Sequence, residues 1–392
     1  MSSPLIDRVR ERLAAQSSPL RPSVVAAAIR AESGGVLGDA EVLTNLRHLQ
    51  TELIGAGLLD PLLSAPGVTD VLVTAPDAVW VDDGNGLRRT SVCFADDEAV
   101  RRLAQRLALA AGRRLDEAQP WVDGNLSGVS AAQSGAALNV RLHAVLPPVA
   151  DGGTCLSLRV LRPANQRLDA LVEAGTIAPE AVELLHGVLA ARLAFVVSGG
   201  TGAGKTTLLA ALLAAVPADE RIICVEDASE LAPAHPHLVK LVARCANVEG
   251  AGEVTVRDLV RQALRMRPDR IVIGEVRGAE VVDLLTALNT GHDGGSGTVH
   301  ANNPAEVPAR FEALAALGGL DRAALHSQLA AAIHVVLHVA RDRTGRRRLT
   351  EVGVLQRRDD GIVRVTTGWH CETGFGPAAA ALADLVRDRT RP

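Results

Sequence analysis

The stretch VVSGGTGAGKTTLLAALL, residues 196 to 213, constrains the fold more than any other part of the chain. An apolar strand runs into four glycines in six residues, then a lysine, two threonines and an apolar helix. Gly199, Gly200, Thr201, Gly202, Ala203, Gly204, Lys205 and Thr206 fit the pattern G-x-x-x-x-G-K-[ST] in full. Glycines let successive backbone N–H groups turn toward phosphate oxygens, and the N-terminus of the following helix adds its dipole. In such a loop Lys205 reaches the β and γ phosphates and Thr206 holds Mg²⁺, with Thr207 beside it at the same helix end. The pattern needs a buried strand before it and a helix after it, so it points to an α/β core that binds ATP.

The surrounding sequence supports that core. From about residue 176, strands LAFVVS, RIICVE, DRIVIGE and SGTVHA alternate with helices, which reads as a doubly wound parallel sheet. Three further strands follow, joined by turns at Thr344-Gly345 and Asp360-Gly361, and read as an antiparallel meander on the sheet edge. Upstream, residues 61–162 read as a smaller α+β domain: DVLVTA and AVWVDD alternate, DGNG is a hairpin turn, and LRRTSVCF is the returning strand. Helix DDEAVRRLAQRLALAAG follows, and AALNVRLHAVL and CLSLRVL complete the domain. Residues 1–60 read as helices, 163–175 as a polar linker, 176–370 as the nucleotide domain and 371–392 as a C-terminal tail.

Composition narrows the function. Of 41 basic residues only Lys205 and Lys240 are lysines, so a lysine kept in the glycine loop suggests that its compact ammonium is needed there. The five cysteines are scattered with no C-x-x-C pair, which argues against zinc. A net charge of −4, with three Trp, four Phe and no Tyr, argues against nucleic acid as a ligand. No run approaches the roughly 18 apolar residues of a membrane span and the first residues lack an apolar signal core, so a cytosolic protein is expected.

Acids stand at the ends of two strands. RIICV ends in Glu226-Asp227 with Glu230 close behind, and the C-terminal end of a parallel strand is where ligands sit. DRIVIGE resembles a Walker B strand, with Gly274 in place of the usual aspartate and Glu275 as the acid. In NTGHDGGSGTVHANNP, His292 and His300 flank a glycine run, which suggests a mobile loop with a phosphate sensor. Arg257, Arg261 and Arg265 form one face of a helix, either solvated or facing a neighbouring subunit's nucleotide, and Arg267 and Arg270 follow.

These elements, in this order, resemble the type II/type IV secretion ATPase superfamily, and most nearly its tight-adherence (Flp) pilus branch. The resemblance covers residues 50 to 355 and is carried best by ALRMRPDRIVIGEVRGAEVVDLLTALNTGHDGGSGTVHANNP, with VEDASEL similar to the family's Asp box. It implies a RecA-like P-loop ATPase domain, a parallel sheet with an antiparallel edge meander, preceded by a smaller α+β (PAS-like) N-terminal domain. It implies ATP and Mg²⁺ as ligands, a ring of identical subunits, a hexamer in this family, and docking on inner-membrane platform proteins from the cytoplasmic side. Glu226 would position or activate the attacking water, Glu275 would act through Mg²⁺-bound water, and His300, with His292 nearby, would sense the γ-phosphate. Arg141 and Arg159 match N-terminal arginines that close over the nucleotide, and Arg244, Arg265, Arg267 and Arg277 fall on other family arginines. NLSGVSAAQSGAALNV, before Arg141, departs from the short turn of the family pattern. Two competing readings are a conjugation-type translocation ATPase and a non-hydrolysing nucleotide switch.

Overall fold

The computed structural model describes residues 8–9, 12, 22–33, 55–84, 86–130, 137–247, 249–342 and 344–390. Most of the segments AEVLTNLRHLQTELIGAG and LIDRVRERLA lies outside the described residues. Pro22–Glu32 is helical. The chain divides into two compact units, Met1–Arg162 and Pro163–Pro392.

The first unit is one antiparallel sheet with a helix on it. Strands β1 (Asp70–Ala75), β2 (Ala78–Asp82), β3 (Leu87–Arg89), β4 (Trp121–Ser130), β5 (Ala137–Val145) and β6 (Cys155–Leu161) lie in the order β3-β2-β1-β6-β5-β4. Strand alternation sends Val71, Val73, Val79, Val81, Leu142 and Leu158 to one face. Helix Asp97–Ala110 covers that face with Val100, Leu103, Ala104 and Leu107, repeating at helical spacing. Asp96 caps it by accepting from the Ala99 N–H, a bond worth about 1 kcal/mol. Two expectations change. The returning strand stops at Arg89 rather than running through LRRTSVCF. The stretch before Arg141 begins in β4, WVDGNLSGVS, a strand additional to those expected. It pairs antiparallel with β5, Asn125 opposite Arg141.

The second unit is built on a nine-stranded sheet, ordered β15-β14-β13-β12-β7-β11-β10-β8-β9. Its strands are β7 (Phe195–Gly199), β8 (Ile222–Glu226), β9 (Leu238–Val242), β10 (Arg270–Ile273), β11 (Ser296–His300), β12 (Val335–Arg341), β13 (Arg347–Arg357), β14 (Val363–His370) and β15 (Gly374–Phe375). The six from β12 to β9 run parallel, and β13, β14 and β15 add the antiparallel edge. Burial on both faces explains why β7, β8 and β10 are apolar without alternation. Phe195, Val197, Ile222 and Cys224 enter one core, with the helix Lys205–Ala214. Val196, Ile223, Val225 and Ile273 enter the other, with helices Glu280–Leu288 and Val307–Leu317.

Two stretches expected at the margins belong to this unit's packing. Residues 163–175, which read as a polar linker, carry the helix Leu168–Glu173, and its Leu168 and Leu171 are buried in the first of those cores. In the tail, helix Ala379–Thr390 places Leu382 in the same core as Trp369.

Candidate active site

The glycine loop sits where β7 meets its helix. Gly199 has φ +153°, and a Cβ there would lie 2.2 Å from the Val339 carbonyl oxygen, so only glycine lets β12 approach this closely. Gly204, at φ +101°, turns the chain into the helix. Lys205 opens that helix and folds back across the loop, its Nζ donating to the carbonyls of Gly199 (3.1 Å) and Gly200 (2.9 Å). It is 7% exposed, and burial lowers its pKa while the charge of Glu275 acts the other way. Thr206 and Thr207 follow in the first helical turn, half-buried.

Three strand ends bring the predicted acids and His300 to one flank of the loop. Glu226 ends β8 and is 3% exposed. Its Oε1 accepts from the backbone N–H groups of Glu230 (3.0 Å) and Leu231 (2.8 Å). Its Oε2 is buried with no hydrogen-bond partner, and Lys240 Nζ stands 3.9 Å away. Burial raises the pKa of Glu226, against the pull of those two N–H groups and of Lys240. Gly274 explains the departure from the usual Walker B acid: a Cβ at this position would sit 2.8 Å from Glu226 Cγ. The glycine makes room for the acid of the neighbouring strand.

Glu275 follows immediately and meets different partners. Arg277 donates to its Oε2 and, through Nη1, to Asp227 Oδ2 at 2.8 Å. Burial works against ionisation of Glu275, but the Arg277 hydrogen bond and charge hold its pKa below the ordinary value. His300 ends β11, with Nε2 2.7 Å from Glu275 Oε1 but off the line of a hydrogen bond, so that buried oxygen has no hydrogen-bond partner. Lys205 Nζ lies 3.3 Å from His300 Nε2 and 3.4 Å from its Nδ1. Burial, then the charge of Lys205, lowers the His300 pKa, which favours the neutral imidazole. Lys205, His300 and Glu275 thus form a continuous polar chain. A cleft of about 400 Å³ opens beside Glu275, lined in part by Asp227, Arg257, Arg277 and Glu280.

The site fits a magnesium nucleotide in its donor chemistry. Two buried carboxylate oxygens without hydrogen bonds, a hydroxyl at Thr206 and a buried ammonium are hard-ion and phosphate partners. No group of three or more His, Cys, Asp or Glu side chains able to hold a metal occurs among the described residues. Phosphate oxygens and water are the usual remaining ligands of Mg²⁺.

Other predicted residues are placed elsewhere. Arg141 is bidentate on Asp123 (3.1 and 2.7 Å), and Arg159 donates to Asp70 at 2.8 Å, all within the first unit. His292 lies before β11, at the opposite end of that strand from His300, with Nδ1 3.2 Å from the Ala287 carbonyl. It is therefore not a neighbour of His300. The adjacent glycines serve close packing: a Cβ at Gly295 would lie 2.4 Å from Leu288 Cδ2. On the arginine face, Arg257 and Arg261 both donate to Asp283, at 2.6 and 2.8 Å, which ties two helices together. Arg244 donates to the Gly252 carbonyl, and buried Arg270 is paired with Glu220.

Sequence reasoning missed five participants. Ser198 and His338 hydrogen-bond at 2.8 Å beneath the loop. Lys240 approaches Glu226, and its rarity in this arginine-rich chain was the available signal. Arg341 and Arg347 both donate to the Gly202 carbonyl.

Comparison with known proteins follows the same lines. Residues 52–375 match the family model described as Type II/IV secretion system protein. The Mycobacterium tuberculosis (strain H37Rv) protein named "Putative conjugal transfer protein Rv3659c" is 74% identical over 354 residues, covering 90% of this chain and 99% of its own. "Type IV secretion system protein PtlH" of Bordetella pertussis is 31% identical over 267 residues, 62% of this chain and 75% of its own. The solved structure of the Legionella pneumophila ATPase DotB is similar in fold, with TM-score 0.50 at 16% identity, covering 89% of this chain and 88% of that one. The second unit has the RecA-like P-loop ATPase fold, with the smaller α+β domain before it.

Proposed function

The chain belongs to the type II/IV secretion system protein family, and on that premise we propose that it hydrolyses ATP as a ring-forming motor for pilus assembly or protein secretion. The observation that carries this reading is the polar chain Lys205–His300–Glu275 laid across a complete phosphate loop, with the buried Oε2 of Glu226 lacking a hydrogen bond beside it. Phosphoryl transfer to water needs positioning and charge neutralisation more than covalent chemistry.

In this reading Lys205 and the backbone N–H groups from Gly199 to Thr207 hold the phosphates. Thr206 would ligate Mg²⁺ and Glu275 would act through its water shell, and the bound ion would supply neutralisation of phosphate charge. Glu226 orients a water and takes its proton as the new P–O bond forms. The bond to the β-phosphate oxygen breaks, and ADP leaves with that electron pair. Glu275, kept ionised by Arg277, fixes His300 beside Lys205, where the imidazole reads the presence of the γ-phosphate. For Arg141 and Arg159 to serve a nucleotide, each exchanges its aspartate for phosphate.

The motor works as a homo-oligomeric ring, a hexamer by the family resemblance, at the cytoplasmic face of the inner membrane. No helix among the described residues is long and apolar enough to cross a membrane, and docking through platform proteins supplies the attachment. Within the family, the motif ALRMRPDRIVIGEVRGAEVVDLLTALNTGHDGGSGTVHANNP supports the tight-adherence pilus branch. A conjugation-type role is the second reading, favoured by the name of the 74% identical relative.

The test is Mg²⁺-dependent ATP hydrolysis over a protein concentration series, beside Lys205→Ala. Turnover that rises cooperatively with concentration and falls at least about 100-fold in the variant is the expected result. Equal turnover in Lys205→Ala refutes the loop as the active site. Stimulation by DNA would move the assignment to conjugation.

A further inference from the structure

We infer that Arg341 and Arg347 form an anion clamp that closes on the α-phosphate end of the bound nucleotide, on the opposite flank of the loop from the acids. This deepens the nucleotide reading above and rests on it. The two arginines bracket the turn between β12 and β13, and the Nε of each donates to one atom, the Gly202 carbonyl oxygen, at 3.0 and 3.1 Å. Two like charges are thus drawn to the outside of a loop built to attract anions.

Neither has a carboxylate within ion-pair distance among the described residues. The nearest acid in sequence, Asp342, is committed to its own turn: its Oδ1 accepts from the N–H groups of Thr344 (2.8 Å) and Arg346 (3.0 Å) and from the Thr344 hydroxyl (2.6 Å). Both residues are exposed overall, and the arm of Arg347 passes over the loop, 3.2 Å from where a Gly204 Cβ would stand. Partial burial and the charge of Arg341 each make the cationic form of Arg347 harder to hold. Elsewhere near the site guanidinium groups are neutralised, Arg277 by Asp227 and Glu275, Arg257 and Arg261 by Asp283. The missing counter-charge here is supplied by a phosphate, whose oxygens match the fork of an arginine.

The sheet order sets which phosphate. β11, β10 and β8, carrying His300, Glu275 and Glu226, lie on one side of β7, whereas β12 and β13 lie on the other. Lys205 leans toward His300, so the reacting γ-phosphate belongs to that side. A nucleotide lying along the loop then presents its α-phosphate and nucleoside to Arg341 and Arg347. ADP keeps this end, so the clamp holds product as well as substrate.

The experiment is calorimetric titration of the full chain with Mg²⁺-ADP, together with melting curves with and without ADP, for wild type, Arg341→Gln, Arg347→Gln and the corresponding Lys variants. Each Gln variant is expected to bind ADP about tenfold more weakly, with a smaller ADP-induced rise in melting temperature and an unchanged melting temperature without ADP. The Lys variants, which keep charge but lose the fork, should recover part of the loss. ADP affinity within about twofold of wild type in both Gln variants would overturn the clamp alone. So would a fall in melting temperature without ADP that accounts for the whole loss, because the pair would then only brace the loop. Failure of the wild-type chain itself to bind ADP would overturn the nucleotide reading and the clamp with it.

Discussion

The C-terminal ends of β8 and β10 look interchangeable in sequence, RIICVE beside RIVIGE, and behave oppositely in the structure. At the end of β8, Glu226 is fixed by two backbone N–H groups through one oxygen, and its other oxygen meets a single cation at 3.9 Å. Burial dominates, and the pKa rises. At the end of β10, Glu275 is only partly buried, Arg277 hydrogen-bonds it directly, and the pKa falls. The difference lies in where the cation sits, not in the acid. A carboxylate gripped by guanidinium is a fixed anion and a poor proton acceptor. One that is buried, with a distant cation and an unoccupied oxygen, is poised to take a proton.

The sharpest way to break this contrast is to neutralise each acid in turn. Glu226→Gln should lower turnover about 1000-fold while ADP binding, read by calorimetry, stays as in wild type. Glu275→Gln should cost less and should shift the Mg²⁺ concentration needed for half-maximal rate. If Glu275→Gln abolished turnover and Glu226→Gln did not, the roles drawn from the two strand ends would be reversed.

A subtler break restores the usual Walker B residue. Gly274→Asp adds an acid where related patterns carry one, yet its Cβ would collide with Glu226 Cγ. The expected result is a loss of about 100-fold in turnover, from displacing Glu226 by a fraction of an ångström to an ångström. Gly274→Ala should fall between that and wild type. An active Gly274→Asp enzyme would mean that Glu226 need not sit where the structure puts it.

What was legible in the sequence follows from how local each signal is. The loop, its strand and its helix are contiguous, so their pattern carried them. Glu226, Glu275 and His300 were reachable because each closes an apolar strand, and parallel strands share one active end. Arg341 and Arg347 were not: they meet Gly202 from 139 and 145 residues away, through the pairing of β12 with β7, which no local pattern encodes. β9 and β4 were missed because they are edge strands with mixed sequences, HLVKLVA and WVDGNLSGVS, which lack the apolar run or clean alternation of inner strands. His292 was grouped with His300 by proximity in sequence, whereas a strand between them carries the two to opposite ends of the sheet. Its glycines suggested mobility, but Gly294 and Gly295 mark places where Arg270 and Leu288 press against the backbone.

The smallest effect tests the cation that separates the two acids. Lys240 donates to the Ser229 hydroxyl at 2.6 Å, which holds its ammonium near Glu226 without a direct hydrogen bond to the carboxylate. At that distance its charge favours the ionised form of Glu226, against burial. A general base must be deprotonated to act, so turnover falls as pH drops through the raised pKa of Glu226. Removing the cation in Lys240→Met raises that pKa further and moves the acidic limb of kcat/KM to higher pH. The loss should be a few-fold, about threefold, at the acidic end and vanish at the alkaline plateau, where Glu226 is ionised in both proteins. Lys240→Arg should restore most of the limb, because it keeps the charge. A Glu275 variant should leave the position of the limb unmoved, since the Glu275 pKa is lowered where that of Glu226 is raised. Superimposable limbs for wild type and Lys240→Met would mean that the titrating group is not Glu226, and the contrast between the ends of β8 and β10 would lose its catalytic meaning.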